Sequence, residues 1–300
     1  MAEERRRIGV PEVEADAGTG VPVAAGAALP EALSRVAPAV AVQPQGAGRA
    51  EAAAVSGAAA PGANPGPRVS IVIPTYDEME CLPALLEEIR AAMQGQPSYE
   101  VLFVDDGSRD GSGEWLDEQA AADPRLRVVH FRANAGQSAA FAEGFQRARG
   151  EYVVTLDADG QNPPAEIPRL IAELDRGADI VAGYRARRAD TRWRLLQSRI
   201  ANGIRNRVSG ETIRDTGCSL KGFRTRYLRS IPRFNGMHRF LPTLCRLTGA
   251  VRVQEVPVAH RERQGGRSKY NMLNRALRGL LDLLAVRWLQ KRWLRYEVRE

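Results

Sequence analysis

The sequence has 300 residues, a formal net charge of +7 and 44% hydrophobic residues, which is enough chain to bury the core of one large or two modest domains. Its three cysteines, Cys81, Cys218 and Cys245, lie far apart, so the pattern excludes a disulfide framework and a zinc-finger spacing and favours a reducing compartment. No run of about 18 apolar residues occurs, and we therefore predict no transmembrane helix.

The charge is distributed unevenly along the chain. Residues 1–184 hold 15 arginines and no lysine against 28 acidic residues, a net charge of −13. Residues 185–300 hold 28 basic residues against 8 acidic ones, a net charge of +20. Such a basic segment favours a phosphate, a nucleic acid or an acidic membrane as partner, unless it is simply a solvated face. Because no nucleic-acid motif or aromatic stacking stripe accompanies the arginines, we expect no nucleic-acid partner.

The first 67 residues have the composition of a tail. Alanine, glycine and proline supply 37 of the 67, and no aromatic residue precedes Tyr76. A segment with so little to bury is predicted to be disordered. The arginine run at residues 5–7 is not followed by a compact apolar segment, so it does not predict a signal peptide.

From Arg68 onwards, short apolar runs alternate with helical spacing. Five runs predict strands, at residues 69–73, 101–104, 126–131, 152–156 and 180–182. Two helices are predicted from apolar positions at helical spacing, Leu82, Leu85, Leu86 and Ile89 in one and Phe141, Phe145 and Ala148 in the other. This alternation is typical of βαβ units with a mostly parallel sheet, in which ligands bind at the carboxyl ends of the strands.

Polar and acidic residues follow each predicted strand. In order, the sequence continues as PTYDE at residues 74–78, DDGSRDG at 105–111, NAG at 134–136, DADGQ at 157–161 and GYR at 183–185. Aspartate and glycine are ordinary turn residues, so any one segment is compatible with a simple turn. Since all five are expected at the same edge of the sheet, we interpret that edge as a binding site.

Asp157 and Asp159 are the sharpest candidates at this edge. On an extended chain, residues at i and i+2 point to the same side. Two carboxylates at this spacing suit Mg²⁺ or Mn²⁺ and leave room on the ion for water and a diphosphate. Gln161 continues the alternation and is a further candidate oxygen ligand. An isolated Asp-x-Asp is more often an Asx turn, and the polar edge around it reverses that preference.

Asp105 and Asp106 point to opposite sides of a strand end, so one can face a ligand while the other anchors the loop. A carboxylate that faces a nucleotide accepts from a base N–H or a ribose hydroxyl. The sequence has no Gly-x-Gly-x-x-Gly after the first strand and no Gly-Lys-Ser/Thr P-loop. These absences argue against a dinucleotide oxidoreductase and against a P-loop phosphotransferase.

Taken in order, the PTYDE, VDDGSRDG, NAG and DADGQ segments resemble those of the family-2 glycosyltransferases of GT-A fold. The resemblance is closest to the polyprenyl-phosphate branch that includes dolichyl-phosphate mannose synthase, and it runs from about Val69 to Leu289. It implies an α/β fold with a GT-A (Rossmann-like), mostly parallel central sheet flanked by helices. It also implies a glycosyltransferase domain with its acceptor region at residues 68–269, and the residue pattern described below predicts a basic amphipathic helix at residues 270–300.

The resemblance implies a role for each matching residue. Nucleotide-sugar contacts are implied for Pro74, Tyr76, Glu78, Val104, Asp106, Asp157, Ala158, Asp159, Arg263 and Lys269. Metal ligation is implied for Asp157, Asp159 and Gln161, and contact with the acceptor phosphate for Arg185, Arg199 and Ser219. Catalytic roles are implied for Asp159, Arg185 and Arg199.

Three further segments carry the resemblance. Residues 263–269 (RQGGRSK) match a loop that closes over the diphosphate, and their glycines suit such a movement. Residues 215–224 resemble an acceptor segment that ends in Arg224, but this chain has Leu220 and Lys221 inserted before Gly222. His238 lies in a GMHRFLP segment typical of a bacterial subset, where a structural role is favoured over acceptor contact.

The implied reaction is the inverting transfer of a sugar from a GDP- or UDP-linked donor to a polyprenyl phosphate, with Mg²⁺ or Mn²⁺ as cofactor. The metal and the cations stabilise charge on the departing diphosphate. The acceptor is already an anion and needs positioning more than deprotonation. The resemblance therefore implies a nucleotide-diphosphate sugar and a polyprenyl phosphate as partners.

Residues 273–296 combine leucines at helical spacing with Arg, Lys and two tryptophans. This pattern predicts a helix that lies in an anionic membrane interface, with ordinary packing or a dimer contact as the alternative. We therefore expect a cytoplasmic protein, peripheral on the inner face of the cell membrane, and leave open a membrane-protein partner or a homo-oligomer.

Two other functions compete with this one. The first is a family-2 enzyme that glycosylates a saccharide hydroxyl in cell-envelope polysaccharide synthesis. Such enzymes use a carboxylate base downstream of Asp-x-Asp, often in a Glu-Asp pair, and no Glu-Asp pair follows Asp159 here. The second is a non-catalytic nucleotide-sugar-binding subunit, against which the intact aspartate pair and RQGGRSK loop argue.

Overall fold

The computed structural model describes residues 66–186, 202–261 and 272–294, with side chains of the last segment described from residue 279. The predicted tail lies outside these ranges except for its last two residues. Arg199, Arg263 and Lys269 also lie outside the described residues.

The centre of the fold is a seven-stranded sheet in the order β3-β2-β1-β4-β6-β5-β7. Its strands are β1 Val69–Thr75, β2 Tyr99–Asp105, β3 Leu126–His130, β4 Tyr152–Thr155, β5 Ile180–Arg185, β6 Lys221–Arg224 and β7 Val253–Val258. β6 runs antiparallel to both of its neighbours, and the other pairings are parallel. The α/β fold and the five predicted strands are thereby confirmed, whereas β6 and β7 are additions that the apolar runs did not predict.

Helices lie on both faces of the sheet. They are α1 Leu82–Ala92, α2 Ser112–Ala122, α3 Gln137–Arg147, α4 Ile167–Asp175, α5 with described residues 202–209, α6 Thr225–Leu228, α7 Leu241–Leu247 and α8 Met272–Arg292. The predicted helices correspond to α1, which buries all four predicted leucine and isoleucine positions, and to α3.

The alternation of strand side chains divides the core into two layers. Ile71 and Ile73 of β1 face a layer that includes Leu86 of α1. Val72, between them, faces the opposite layer, which includes Phe145 of α3 and Val286 of α8. A strand buried on both faces favours apolar residues on both sides, which explains the run at residues 71–73, and the buried Ser70 before it donates its hydroxyl to Glu100.

The topology places the candidate motifs at one edge. β1 pairs with β2 on one side and with β4 on the other. The connections that follow β1 and β3 therefore lead to opposite sides of β1. A crevice forms at such a switch point, outside the carboxyl ends of the strands. Because β6 is antiparallel, its first residue Lys221 pairs with Thr155, the last residue of β4. The segment that precedes β6 therefore also reaches this edge.

The predicted C-terminal helix is present as α8. It packs through Leu283 and Val286, which are 4% and 0% exposed. Four of the large apolar residues that made this segment read as an amphipathic helix face outwards. They are Leu280, Leu281, Leu284 and Trp288. Within the described ranges, no helix combines the length and the hydropathy that crossing a bilayer requires.

Candidate active site

Asp157 and Asp159 lie in the loop that follows β4, and both are partly buried. Oδ1 of Asp157 accepts a hydrogen bond from Nε2 of Gln137 at 2.9 Å. Oδ1 of Asp159 accepts from the backbone N–H of Gln161 at 3.1 Å. Burial and the nearby carboxylate of Asp159 together raise the pKa of Asp157 to about 6.

This arrangement fits a divalent cation. Two carboxylates that repel each other in a partly buried loop are stabilised by an ion of opposite charge, and hard oxygen donors suit Mg²⁺ or Mn²⁺. Within the described part of the chain no group of three or more His, Cys, Asp and Glu side chains is arranged for a metal. A cation at Asp157 and Asp159 would therefore take its other ligands from water, from Gln161 or from a bound diphosphate.

The segment that leads into β6 lies against this pair. The hydroxyl of Ser219 hydrogen-bonds Asp157, and it also accepts from Nδ2 of Asn162 at 2.7 Å. The Thr155 hydroxyl at the end of β4 donates to the carbonyl of Ser219 at 2.6 Å. These contacts bring Ser219, predicted near the acceptor, to Asp157, the candidate metal ligand.

Lys221, the first residue of β6, is 3% exposed. Its Nζ donates to the carbonyls of Cys218 and Thr216, so it holds the preceding loop closed against the sheet. Burial lowers the pKa of Lys221, and the nearby Asp215 and Asp157 are among the groups that oppose this shift. Lys221 is in turn among the groups that oppose the rise in the pKa of Asp157.

Arg185, at the end of β5, forms a two-pronged ion pair with Asp215. Nε lies 2.6 Å from Oδ2, and Nη2 lies 2.8 Å from Oδ1. The backbone N–H of Arg185 also donates to Oδ2 of Asp215. With side chains only 14% and 9% exposed, the pair fixes the guanidinium in one orientation.

On the other side of the switch point, Asp106 is buried and anchors the loop after β3. Its two carboxylate oxygens accept from the backbone N–H groups of Ala135 and Gly136 at 2.6 Å and 2.8 Å. Burial raises the pKa of Asp106, and these two hydrogen bonds oppose that shift. The loop continues directly into Gln137, so Asp106 also positions the group that binds Asp157.

Asp105 is likewise held by protein groups. Its Oδ1 accepts from the backbone N–H of Ser108 at 3.0 Å, and its Oδ2 lies 3.0 Å from Nδ1 of His130. Both carboxylates of this pair therefore anchor loops, where the strand-end geometry predicted one anchor and one ligand contact. The side chain of Val104 is fully buried in the core.

The loop after β1 is locked to the loop after β2. The backbone N–H of Asp77 donates to the Ser108 hydroxyl at 3.0 Å, and Oδ1 of Asp77 accepts from the Arg109 backbone at 2.9 Å. Asp77 has a φ of 50°, a left-handed conformation that aspartate tolerates better than most residues. Pro74, next to last in β1, is partly exposed, as are Tyr76 and Glu78 in this loop.

The structure brings the predicted metal residues and Ser219 together, and it places Arg185 next to the same segment through Asp215. Ala158, between the two aspartates, is buried. His238 lies 2.7 Å from the Ser138 hydroxyl through Nδ1, which agrees with a structural role. Arg224, at the far end of β6, donates through Nη2 to the Leu174 carbonyl, away from the aspartate pair.

Three residues that surround Asp157 and Ser219 could not be predicted from the motifs, and these are Gln137, Asn162 and Lys221. Gln137 and Asn162 directly follow the NAG and DADGQ motifs, so their position next to the motifs was the available signal. Lys221 falls in the insertion that departs from the family pattern, and only the antiparallel pairing of β6 shows where it lies.

The fold and the motifs together place the chain in a known family. Residues 70–231 match the model of glycosyl transferase family 2, and the chain belongs to this family. The GT-A-like arrangement of the sheet agrees with that assignment.

Among the relatives is an undecaprenyl-phosphate 4-deoxy-4-formamido-L-arabinose transferase of Pectobacterium atrosepticum. It is 42% identical over 220 residues, which cover 72% of this chain and 66% of that protein. A transferase of the same description from Pseudomonas fluorescens is 41% identical, with 72% of this chain and 64% of that protein covered. The chain thus spans about two thirds of these relatives.

Solved structures share the fold at lower identity. Glucosyl-3-phosphoglycerate synthase from Mycobacterium tuberculosis, in complex with Mn²⁺, UDP and glucosyl-3-phosphoglycerate, has a TM-score of 0.57 and 19% identity, covering 74% of this chain and 80% of that one. S. aureus TarS 1-349 in complex with UDP has a TM-score of 0.51 and 20% identity, covering 74% and 65%.

Proposed function

We propose that this protein transfers a sugar, with inversion, from a nucleoside-diphosphate sugar to a polyprenyl phosphate. The observation that carries the proposal is the Asp157–Asp159 pair, held by Gln137 and Ser219 at the switch point of a family-2 sheet. The relatives at about 40% identity, which are described as undecaprenyl-phosphate sugar transferases, support the choice of acceptor.

Asp157 and Asp159 would hold Mg²⁺ or Mn²⁺, with Gln161 as a further oxygen ligand. A divalent ion supplies charge stabilisation for the departing nucleoside diphosphate. The chain orients the aspartates for this task, because Gln137 and Ser219 fix Asp157 and the Asx turn at Gln161 fixes Asp159. In this proposal the donor contacts Pro74 at the end of β1 and the loops that contain Tyr76, Glu78 and Ala158. The buried residues Val104 and Asp106 support these loops. Arg263 and Lys269 complete the diphosphate site.

The acceptor side follows from the ion pair of Arg185. A phosphate acceptor is nucleophilic without a general base, so its main requirement is to be held in line with the anomeric carbon. Arg185, Arg199 and Ser219 are proposed to do this. Asp215 holds the Arg185 guanidinium in one orientation, and a guanidinium fixed in this way suits charge-assisted recognition of a phosphate.

The outer face of α8 supports contact with a membrane. Leu280, Leu281, Leu284 and Trp288 are 48% to 62% exposed, which is unusual for large apolar side chains on one helix. Arg287, Lys291 and Arg292 are exposed on the same helix. A helix with apolar residues and cations suits an anionic bilayer surface. We infer a peripheral position at the inner face of the cell membrane, where a polyprenyl phosphate is available.

Release of nucleoside diphosphate tests the proposal. GDP- and UDP-sugars are incubated with the full chain and Mn²⁺ or Mg²⁺, with and without a polyprenyl phosphate. Release that requires both the metal and the lipid phosphate is the expected result. Release with a saccharide acceptor instead would favour the polysaccharide enzyme, and metal-dependent binding of the nucleotide without any release would favour a non-catalytic subunit.

A further inference from the structure

Two segments bring arginines to the neighbourhood of the Arg185–Asp215 pair. Arg205 comes from α5, Arg239 from the short turn of helix that precedes α7, and Asp215 from the loop before β6. The Arg205 guanidinium lies 5.8 Å from the centre of the Phe240 ring, so it reaches the residue next to Arg239. Arg239 lies in the GMHRFLP segment and Asp215 opens the 215–224 segment, whereas Arg205 belongs to none of the motifs.

Asn202 fixes Arg205 at this position. One helical turn before Arg205, the Asn202 side chain accepts from the Thr216 hydroxyl at 3.3 Å and donates to the Arg214 carbonyl at 3.1 Å. These bonds tie α5 to the two residues on either side of Asp215. Oδ1 of Asn202 also accepts from Nη1 of Arg205 at 3.2 Å.

The cluster has more positive charge than the described carboxylates balance. Arg185 is paired with Asp215, and Arg239 is paired with Asp282 at 3.1 Å. Within the described ranges, Arg205 has the neutral amide of Asn202 as its side-chain hydrogen-bond partner. Burial lowers the pKa of Arg205, the nearby Arg239 lowers it further, and Asp215 opposes both effects. An anion bound beside Arg205 would oppose the effects of burial and of Arg239 on this residue.

The chemistry of the site selects a phosphate monoester. A monoester has a charge of about −1.5 to −2 at neutral pH and three acceptor oxygens, which suit guanidinium donors from more than one segment. A lipid phosphate also brings hydrocarbon, and Ile204, next to Arg205, is 52% exposed. We propose that Arg205 and Arg239 form a binding site for the phosphate of the acceptor lipid, adjoining Arg185. This inference rests on the proposed function, since it assigns residues to the acceptor of that reaction.

Binding measurements on the full chain test the site. The probes are a polyprenyl monophosphate in neutral detergent micelles, the polyprenol of equal length, inorganic phosphate, and UDP with Mn²⁺. We expect Arg205→Gln and Arg239→Gln each to weaken binding of the lipid phosphate roughly tenfold or more, because each removes a charged hydrogen-bond donor. Binding of polyprenol and of UDP should stay within about twofold of wild type. Arg205→Lys should give an intermediate loss, since it keeps the charge without the planar fork.

Arg207→Gln is the matched control, because Arg207 is exposed on the same helix. It should bind the lipid phosphate as wild type does. Arg205→Gln retains donors for Asn202, and its melting curve checks that the fold is intact. Lipid phosphate binding that is unchanged in a folded Arg205→Gln variant overturns the inference and leaves the proposed function standing. A wild-type protein that binds UDP but does not distinguish polyprenyl phosphate from polyprenol contradicts the proposed acceptor and this site together. Inorganic phosphate that binds while the lipid does not would also overturn the lipid assignment.

Discussion

Replacement of Asp157 by asparagine should abolish turnover and yet stabilise the metal-free protein. The reason is that Asp157 is held partly buried beside Asp159, where its negative charge is unfavourable until a cation binds. Asparagine has nearly the same shape and can still accept the hydrogen bond from Gln137. The substitution therefore removes the charge while preserving the packing of the loop.

The magnitude follows from the pKa of Asp157, which rises from 3.8 to about 6 in the folded protein. At 1.36 kcal/mol per unit, this difference corresponds to about 3 kcal/mol as an upper limit. Solvent screens a partly exposed carboxylate, so we expect about 1–3 kcal/mol. For a domain of this size, each kcal/mol raises the melting temperature by about 2–4 °C.

The sign of the pH dependence is also fixed. A carboxyl group with a raised pKa binds its proton more tightly in the folded state, so wild-type stability falls as pH rises from about 4 to about 6. The penalty is complete above that range. The advantage of Asp157→Asn should therefore be full at pH 7.5 and close to zero at about pH 4.

Thermal unfolding in EDTA at these two pH values measures the effect. Glu118→Gln is the matched control, since it removes one negative charge from an exposed position on α2 and should change neither curve by more than about 1 °C. Addition of Mn²⁺ at pH 7.5 should raise the melting temperature of wild type and leave that of Asp157→Asn unchanged. A variant that is less stable than wild type at pH 7.5, or an advantage that persists at pH 4, would refute the reasoning.

Four further outcomes are expected. Mn²⁺ affinity, measured by calorimetry, should fall towards tenfold per pH unit below about pH 6, because Asp157 must lose a proton to bind the ion; a flat profile between pH 5 and 7.5 would contradict this. Asp106→Asn should lower stability by about 1–3 kcal/mol in urea unfolding. The asparagine NH₂ group cannot accept a hydrogen bond, so one of the two backbone N–H groups loses its acceptor. An unchanged midpoint would show that the anchor is dispensable. Asp215→Asn should cost about 3 kcal/mol, because it leaves the Arg185 charge partly uncompensated, and should raise KM for the lipid phosphate more than KM for the donor; equal changes in both would remove Arg185 from the acceptor side. Leu281→Ser with Leu284→Ser should weaken sedimentation with anionic vesicles while melting at the wild-type temperature, since both side chains face outwards; undiminished sedimentation would exclude this face as the membrane contact.

The sheet could be predicted largely because its strands are buried on both faces. β1 contains the apolar run at residues 71–74 and β2 the apolar run at residues 101–104, and such runs stand out from a helical pattern. β6 consists of Lys-Gly-Phe-Arg, and β7 includes Glu255 and Pro257, so neither has an apolar run. Their pairing with distant strands, rather than local propensity, makes them strands.

The buried face of α8 could not be predicted from the sequence. The sequence contains leucines on more than one side of this helix, so periodicity alone does not select the buried face. The structure buries Leu283 and Val286 and holds Asp282 against Arg239, which turns the predicted stripe outwards.

The candidate site divides in the same way. The aspartate pair could be predicted because motifs at strand ends converge on one edge of a parallel sheet, whereas Ser219 was implied only by the family resemblance. The other roles depend on tertiary contacts between segments far apart in sequence. Asp106 anchors the loop after β3, and Gln137 and Lys221 lie near Asp157.

The most direct test of the central claim is to identify the product. The full chain is incubated with the donor that supports nucleotide release, Mn²⁺ and a polyprenyl phosphate, and the lipid fraction is examined by mass spectrometry and NMR. We predict a polyprenyl monophosphate sugar whose anomeric configuration is opposite to that of the donor, and no such product with polyprenol or with Asp157→Asn. Absence of the glycolipid despite metal-dependent nucleotide release, or a product with retained configuration, would contradict the proposed reaction.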